Sequence, residues 1–282
     1  MKQLNNTKGI LYIIPTPIGN LADITYRAIS TLNAVDIIAA ENINHTKILT
    51  KKYNIFTHIT SFNKHNEKTK YKKLIIQLRN GKNIALVSNA GTPTINDPGN
   101  HLINNCYEYE IQVIPLPGPC AAITALSASG LSNRKFCYEG FFPSRNTIRR
   151  KLINSLNKET RTIIVYETPH RIISSMNDIV KELGPNRYII LAKELTKKWE
   201  CIKRGTSESI LSWLNNDNFK EKGEITIIIS GFQEIKANTI SEIALETLQI
   251  LKLHLPLKEA IQITAKLHKL SKNFLYNYNI KK

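Results

Sequence analysis

The sequence predicts two α/β domains in tandem followed by a small helical region, and three observations carry that prediction. Short apolar runs bounded by Gly and Pro alternate with helical patterns through the first 118 residues. A second set of strand-like runs lies between Phe136 and Ile229, and beyond Phe232 only helical periodicity remains. At 282 residues the chain is long for one core, so we expect an N-terminal domain over 1–118, a second domain over 119–232 closing a cleft, and a helical basic region over 233–282.

The first half is read as five strands. Ile10–Ile14 is the first, followed by the loop PTPIGNLAD and a helix from about Asp23 to Leu32, with Ile24, Ala28, Ile29 and Leu32 at helical spacing. Val35–Ala40 is the second strand and Ile55–Ile59 a weaker third. Tyr71, Leu74, Ile75 and Leu78 mark a helix over 66–80 that Gly81 stops. Ile84–Val87, four apolar residues with no polar alternation, reads as a strand buried on both faces, which is the mark of a parallel sheet. A helix from Gly99 to Tyr109 and a strand over Ile111–Leu116 complete this half. The Ala-rich stretch between Pro119 and Leu131 is expected to join the halves as a packed helix.

In the second half Phe136–Phe141, Thr162–Tyr166, Tyr188–Ala192 and Glu224–Ile229 read as strands. The helix His170–Leu183 carries Ile172, Ile173, Met176, Ile179, Val180 and Leu183 on one face and ends at Gly184-Pro185. Helical patterns over Ile240–Leu251 and Leu257–Leu270 form the last region, with a basic end, KNFLYNYNIKK.

Lys+Arg 39 against Asp+Glu 22 gives a net charge of +17, which points to a polyanionic partner, although a compositional bias toward Asn, Lys and Ile would also raise the basicity. The four cysteines form no CxxC pair and have no His at ligand spacing, so neither a metal site nor a disulfide framework is expected; reduced thiols suit a cytoplasmic protein. No stretch approaches the roughly 18 apolar residues of a membrane span, so no membrane partner is expected.

Three Gly/Pro loops follow predicted strands: PTPIGN at 15–20, NAGTP at 89–93 and PLPGPC at 115–120. Small residues at strand ends let a ligand approach the backbone, and ligands of open α/β sheets bind beyond the carboxyl ends of strands. None of the loops is GxGxxG or GxxxxGK[ST], which removes support for a dinucleotide site or a triphosphate P-loop.

Together with SNAGTPTINDPG at 88–99, PLPGPCAAITALSASGL at 115–131, YEGFFP at 138–143, YETPHR at 166–171, ELTK at 194–197 and LPLKEA at 255–260, the first loop's PTPIGNLADIT at 15–25 resembles the tetrapyrrole-methylase superfamily. Within it the chain is most similar to the branch that methylates a cytidine ribose 2′-oxygen in 16S rRNA. That resemblance implies two α/β domains of the tetrapyrrole-methylase type with S-adenosylmethionine in the cleft between them, no metal, a homodimer, and 16S rRNA or the small ribosomal subunit as partner. It carries the cofactor role to Pro17 and Gly19, to Gly91, Thr92 and Pro93 beside the methionine and sulfonium, to Cys120 and Ala121, and to Tyr166 as a wall near the adenine. An acidic tetrapyrrole-like substrate would equally suit the basic composition.

Removing the proton of a 2′-hydroxyl calls for a polar group at the cleft, and Glu139 and Glu167, at predicted strand ends, rank first. His65 and Glu67 in KHNE are further polar candidates. His170, Arg171, Lys193 and Lys197 are candidate RNA contacts; Arg171 could clamp a phosphate or pair with a neighbouring carboxylate. The chain reads AENIN at 40–44 and SNAGTP at 88–93 where the family pattern has AEDTR and SDAGTP, so Asn42, Asn44 and Asn89 replace two carboxylates and a guanidinium. Drift toward Asn and a catalytically impaired RNA or ribosome binder both remain open readings, since Asn keeps the size of Asp but neither its charge nor its basicity.

Overall fold

The computed structural model describes residues 8–132, 134–216, 223–233, 240–268 and 270–280. The chain divides into two compact units, Met1–Phe232 and Gln233–Lys282.

The first unit holds two five-stranded sheets. The N-terminal sheet is built from β1 (Leu11–Ile13), β2 (Ile37–Ala40), β3 (His58–Ser61), β4 (Ile84–Val87) and β5 (Val113–Pro115) in the order β3-β2-β4-β1-β5, every pair parallel. Each residue of β4 is buried, and the period of two sorts them between the faces. Ile84 and Leu86 join Leu74 and Leu78 of α3 (Glu67–Arg79) and Leu102 of α4 (Asn100–Glu108). Ala85 and Val87 join Ala28 and Leu32 of α1 (Tyr26–Ala34) and Leu49 of α2 (Ile43–Lys52). At about 1.5–3 kcal/mol per buried aliphatic side chain, this two-sided burial is what holds the sheet in register.

The predicted strands β1, β2, β4 and β5 stand within a residue or two of their expected bounds. The helix expected from Asp23 starts instead at Tyr26, because the Thr25 hydroxyl accepts from Ala28 N–H at 3.1 Å and so sets the cap, while Leu21–Asp23 form a single 3-10 turn. The third strand lies at 58–61 and not 55–59, since its pairing with β2 runs from Ile37↔His58 to Ala40↔Ser61. Helix α2 was not legible: INHTKILTKK has few apolar residues, and its start is set by Asn42, whose side chain accepts from Asn44 and His45 N–H.

The second sheet has β6 (Phe136–Phe141), β7 (Thr162–Glu167), β8 (Tyr188–Lys193), β9 (Cys201–Thr206) and β10 (Ile225–Ile229) in the order β6-β7-β10-β8-β9. Here only β6 and β7 are parallel, and the last strand in sequence inserts at the centre, antiparallel to both neighbours. One face packs on α6 (Asn146–Ser155), α7 (Ile172–Leu183) and α8 (Ser207–Asn216). The other face, with Ile164, Ile190 and Ile228, is covered by Ala122, Ala125 and Leu126 of α5 (Ala121–Ser129), the expected joining helix; its alanines allow close approach. Edge strand β9 escaped prediction because CIKRGT, half in solvent, lacks a clear apolar alternation.

The second unit is three helices, α9 (Glu242–Lys252), α10 (Leu257–Leu267) and α11 (Lys272–Ile280), around Ala244, Leu248, Ala260, Ile261, Ala265 and Leu275. Among the described residues no helix is long and apolar enough to cross a membrane.

Candidate active site

The order of the first sheet brings the ends of β4, β1 and β5 side by side, and with them the three Gly/Pro loops. Two are stitched together: Thr16 N–H donates to Gly91 O and Gly91 N–H to Thr16 O, both at 2.9 Å. Gly91 sits at φ +77°, a conformation that favours glycine, and a Cβ there would lie 3.3 Å from Ile18 Cγ2. Thr92 Oγ1 donates to Pro119 O at 3.0 Å and ties in the third loop.

Beyond these loops lies a cavity of about 380 Å³, within the size range of small-molecule sites. The first sheet contributes Glu41 after β2, then Asn89–Thr92 and Ile95–Asp97 after β4; the second contributes Tyr166, Glu167, Ala192 and Ile225, with Cys120 and Ala121 from the start of α5. One end is therefore polar and acidic, the other largely apolar. Asn89 Oδ1 is buried without a hydrogen-bond partner, an acceptor that a ligand's N–H or O–H would satisfy. A cavity with an apolar end for a purine, acceptors for an amino acid's ammonium and ribose hydroxyls, and a glycine-lined loop fits S-adenosylmethionine. Among the described residues no group of His, Cys, Asp or Glu is arranged to hold a metal ion.

Of the predicted cofactor residues, Gly91, Thr92, Cys120, Ala121 and Tyr166 line this cavity, whereas Pro17, Gly19 and Pro93 do not. Pro17 is buried against a smaller pocket with His45 and Ser88. Gly19 lets its loop approach the 194–198 segment, where a Cβ would lie 2.5 Å from Lys197 Cγ. Glu167 lines the cavity, but its carboxylate is already engaged by Thr168 N–H at 2.6 Å, Ser175 Oγ at 2.5 Å and Arg171 at 2.8 Å. Glu139 lies outside the lining, close enough to Cys137 and Arg161 to act on their charges. Arg171 is held by that ion pair, His170 is exposed beside Thr168 Oγ1 at 3.3 Å, Lys193 ends β8, and Lys197 pairs with Glu194 at 2.8 Å and Glu224 at 2.9 Å. Glu67, weighed as a polar candidate, accepts from Gly99 and His101 N–H at the start of α4, and His65 is exposed.

Sequence reasoning missed Glu41 and Asp97. Both stood in the motifs that carried the family resemblance, as the acidic residues of strand-end loops; the signal was a carboxylate beside the glycines of the site. Burial, then the charge of Glu41, push Asp97 up to about 6. Glu41 Oε2 accepts from Asn89 N–H at 3.2 Å. The loop carrying Asp97 is strained, with Thr94 and Asn96 at φ +73° and +69°, and is fastened to the second sheet by a short hydrogen bond from Asn96 Nδ2 to Tyr138 OH.

Residues 10–211 match the family model described as Tetrapyrrole (Corrin/Porphyrin) Methylases. The chain belongs to this family. It is a family of methyltransferases, and the curated relatives match over nearly the whole length. The chain is 61% identical to a protein of Buchnera aphidicola subsp. Baizongia pistaciae over 96% of this chain and 93% of that one. It is 48% identical to a protein of Escherichia coli O157:H7 over 97% and 96%. Both relatives are named ribosomal RNA small subunit methyltransferase I. Among solved structures, uroporphyrin-III-C-methyltransferase from Thermus thermophilus superposes with a TM-score of 0.58 at 16% identity, covering 79% of this chain and 94% of that one. Diphthine synthase gives 0.59 at 11%, covering 79% and 90%. At such identities these two share the fold.

Proposed function

We propose that this chain uses S-adenosylmethionine to methylate the ribose 2′-oxygen of a cytidine in 16S rRNA of the small subunit, in the cytoplasm and as a homodimer. The observation that carries the reading is a cavity fitting the cofactor in a chain similar, end to end, to relatives named for methylating small-subunit rRNA.

Bound there, S-adenosylmethionine supplies a methyl group on a positively charged sulfur, already a strong electrophile. The protein's part is positioning. Gly91 and Thr92 hold the floor of the cavity, Tyr166 and Ile225 form its second-sheet wall, and the loop 92–98 shields it from water. The acidic end, around Glu41 and Asp97, is the place for an acceptor hydroxyl. Cys120 is the thiol of the wall, and the wall contains no Lys, Arg or His to serve it as a nucleophile, which favours oxygen over carbon as the acceptor. The excess of Lys and Arg suits an RNA partner, whose binding should weaken steeply as salt rises while cofactor affinity stays nearly constant.

The test is radiolabelled methyl transfer to small subunits, with 2′-O-methylation mapped along 16S rRNA. A methyl group at one cytidine ribose, lost when that nucleotide is 2′-deoxy, is the expected result; transfer to the deoxy substrate excludes the 2′-oxygen as acceptor.

A further inference from the structure

We infer that Asp97 is the group that takes the proton of the acceptor hydroxyl, with Glu41 as the neighbour that holds it ready. This inference rests on the 2′-O-methylation reading above.

The cavity wall narrows the choice. Its ionisable residues are Glu41, Asp97, Cys120, Tyr166, Glu167 and Glu224. Glu167 is closed off by Arg171, Ser175 and Thr168, and Glu224 pairs with Lys197. The Tyr166 oxygen accepts from Ala122 N–H, and burial raises its acidity constant to about 12, out of reach of a base working near neutrality. Glu41 gives one oxygen to Asn89 N–H. Asp97 is half-buried, lines the acidic end, and forms no ion pair within 4 Å among the described residues.

The groups facing it are Glu41, the hydroxyl of Ser88, the more distant ammonium of Lys64, and Tyr138 across the cavity. Burial and Glu41 raise it and outweigh Ser88 and Lys64, leaving a carboxylate that titrates at about 6. Such a group is ionised at pH 7 yet basic enough to accept a proton. In the transfer the hydroxyl oxygen bonds to the methyl carbon as the carbon–sulfur bond breaks. The bonding pair stays on sulfur, leaving a neutral thioether, and the hydroxyl proton passes to Asp97.

The experiment uses the full chain, S-adenosylmethionine and small ribosomal subunits in single turnover, with cofactor affinity measured by calorimetry and subunit affinity by filter binding. Asp97→Asn is expected to bind cofactor and subunit within threefold of the wild type and to lose at least about a hundredfold in rate, the scale of a general base. Asp97→Glu should recover part of the rate. The wild-type rate should rise with pH up to a plateau, with a midpoint near 6. A wild-type rate flat between pH 5 and 7.5, or an Asp97→Asn variant with wild-type rate, overturns the role of Asp97 while leaving 2′-O-methylation standing. A wild-type protein that binds cofactor and transfers nothing to the ribose overturns the underlying reading instead.

Discussion

The backbone N–H of Ala122 donates to the phenolic oxygen of Tyr166 across 3.0 Å. That bond ties the first turn of α5 to the end of β7 and fixes a ring that Tyr138 and Phe141 meet edge-on at 5.2 and 5.3 Å. Tyr166→Phe keeps the ring and orphans the Ala122 N–H. We expect a loss of about 1–3 kcal/mol in urea unfolding. Because burial, and then Cys120, push Tyr166 up to about 12, the loss should be the same at pH 6 and pH 9. Unchanged stability would mean that solvent replaces the phenol.

Gly91→Val should abolish cofactor binding while the protein still folds. Its φ of +77° costs a branched side chain about 1–3 kcal/mol of strain, and the added atoms meet Ile18 and crowd the cavity floor. Calorimetry with S-adenosylmethionine is the check; wild-type affinity would remove this loop from the site.

Arg171→Ala should act on stability before it acts on RNA. Glu167 is 2% exposed, and removing the guanidinium 2.8 Å away leaves a buried carboxylate short of its cation. A loss of about 3 kcal/mol in unfolding free energy is expected. A variant of normal stability whose RNA affinity alone falls would instead place Arg171 on a phosphate.

Asp97 should make the protein less stable at neutral pH. Its folded value, about 6, lies above the usual 3.8, so the folded state holds the proton more tightly than the unfolded chain does. The penalty is therefore absent below about pH 4, grows between pH 4 and 6, and is complete above. Asp97→Asn should raise the melting temperature at pH 8 and leave it nearly unchanged at pH 4. The opposite order would mean that the charged form is the favoured one.

A chain ending at Phe232 should fold and bind cofactor, since the C-terminal helices carry a core of their own around Leu248, Ile261 and Leu275. Its RNA affinity should drop, and with it the salt dependence, as Lys266 and Lys272 are lost with the basic end. Full RNA affinity in the truncated protein would rule the region out as a contact.

The sequence by itself determined the central strands, the three loops and the family. Ile84–Val87 could be read because a strand buried on both faces must be apolar throughout, and the loops because glycine and proline mark backbone geometry wherever they stand. Gly91, Thr92, Cys120, Ala121 and Tyr166 were legible for the same local reasons, carried by motif. Only the tertiary structure decided that β10 enters the middle of an antiparallel arrangement, that the polar CIKRGT is an edge strand, and that Arg171 closes on Glu167. It likewise decided that Glu139 lies outside the cavity and that Glu41 and Asp97 share one end of it. A carboxylate's chemistry depends on its burial and on the charges beside it. Those neighbours come from strands far apart in sequence, so no local pattern around Asp97 could announce what folding places next to it.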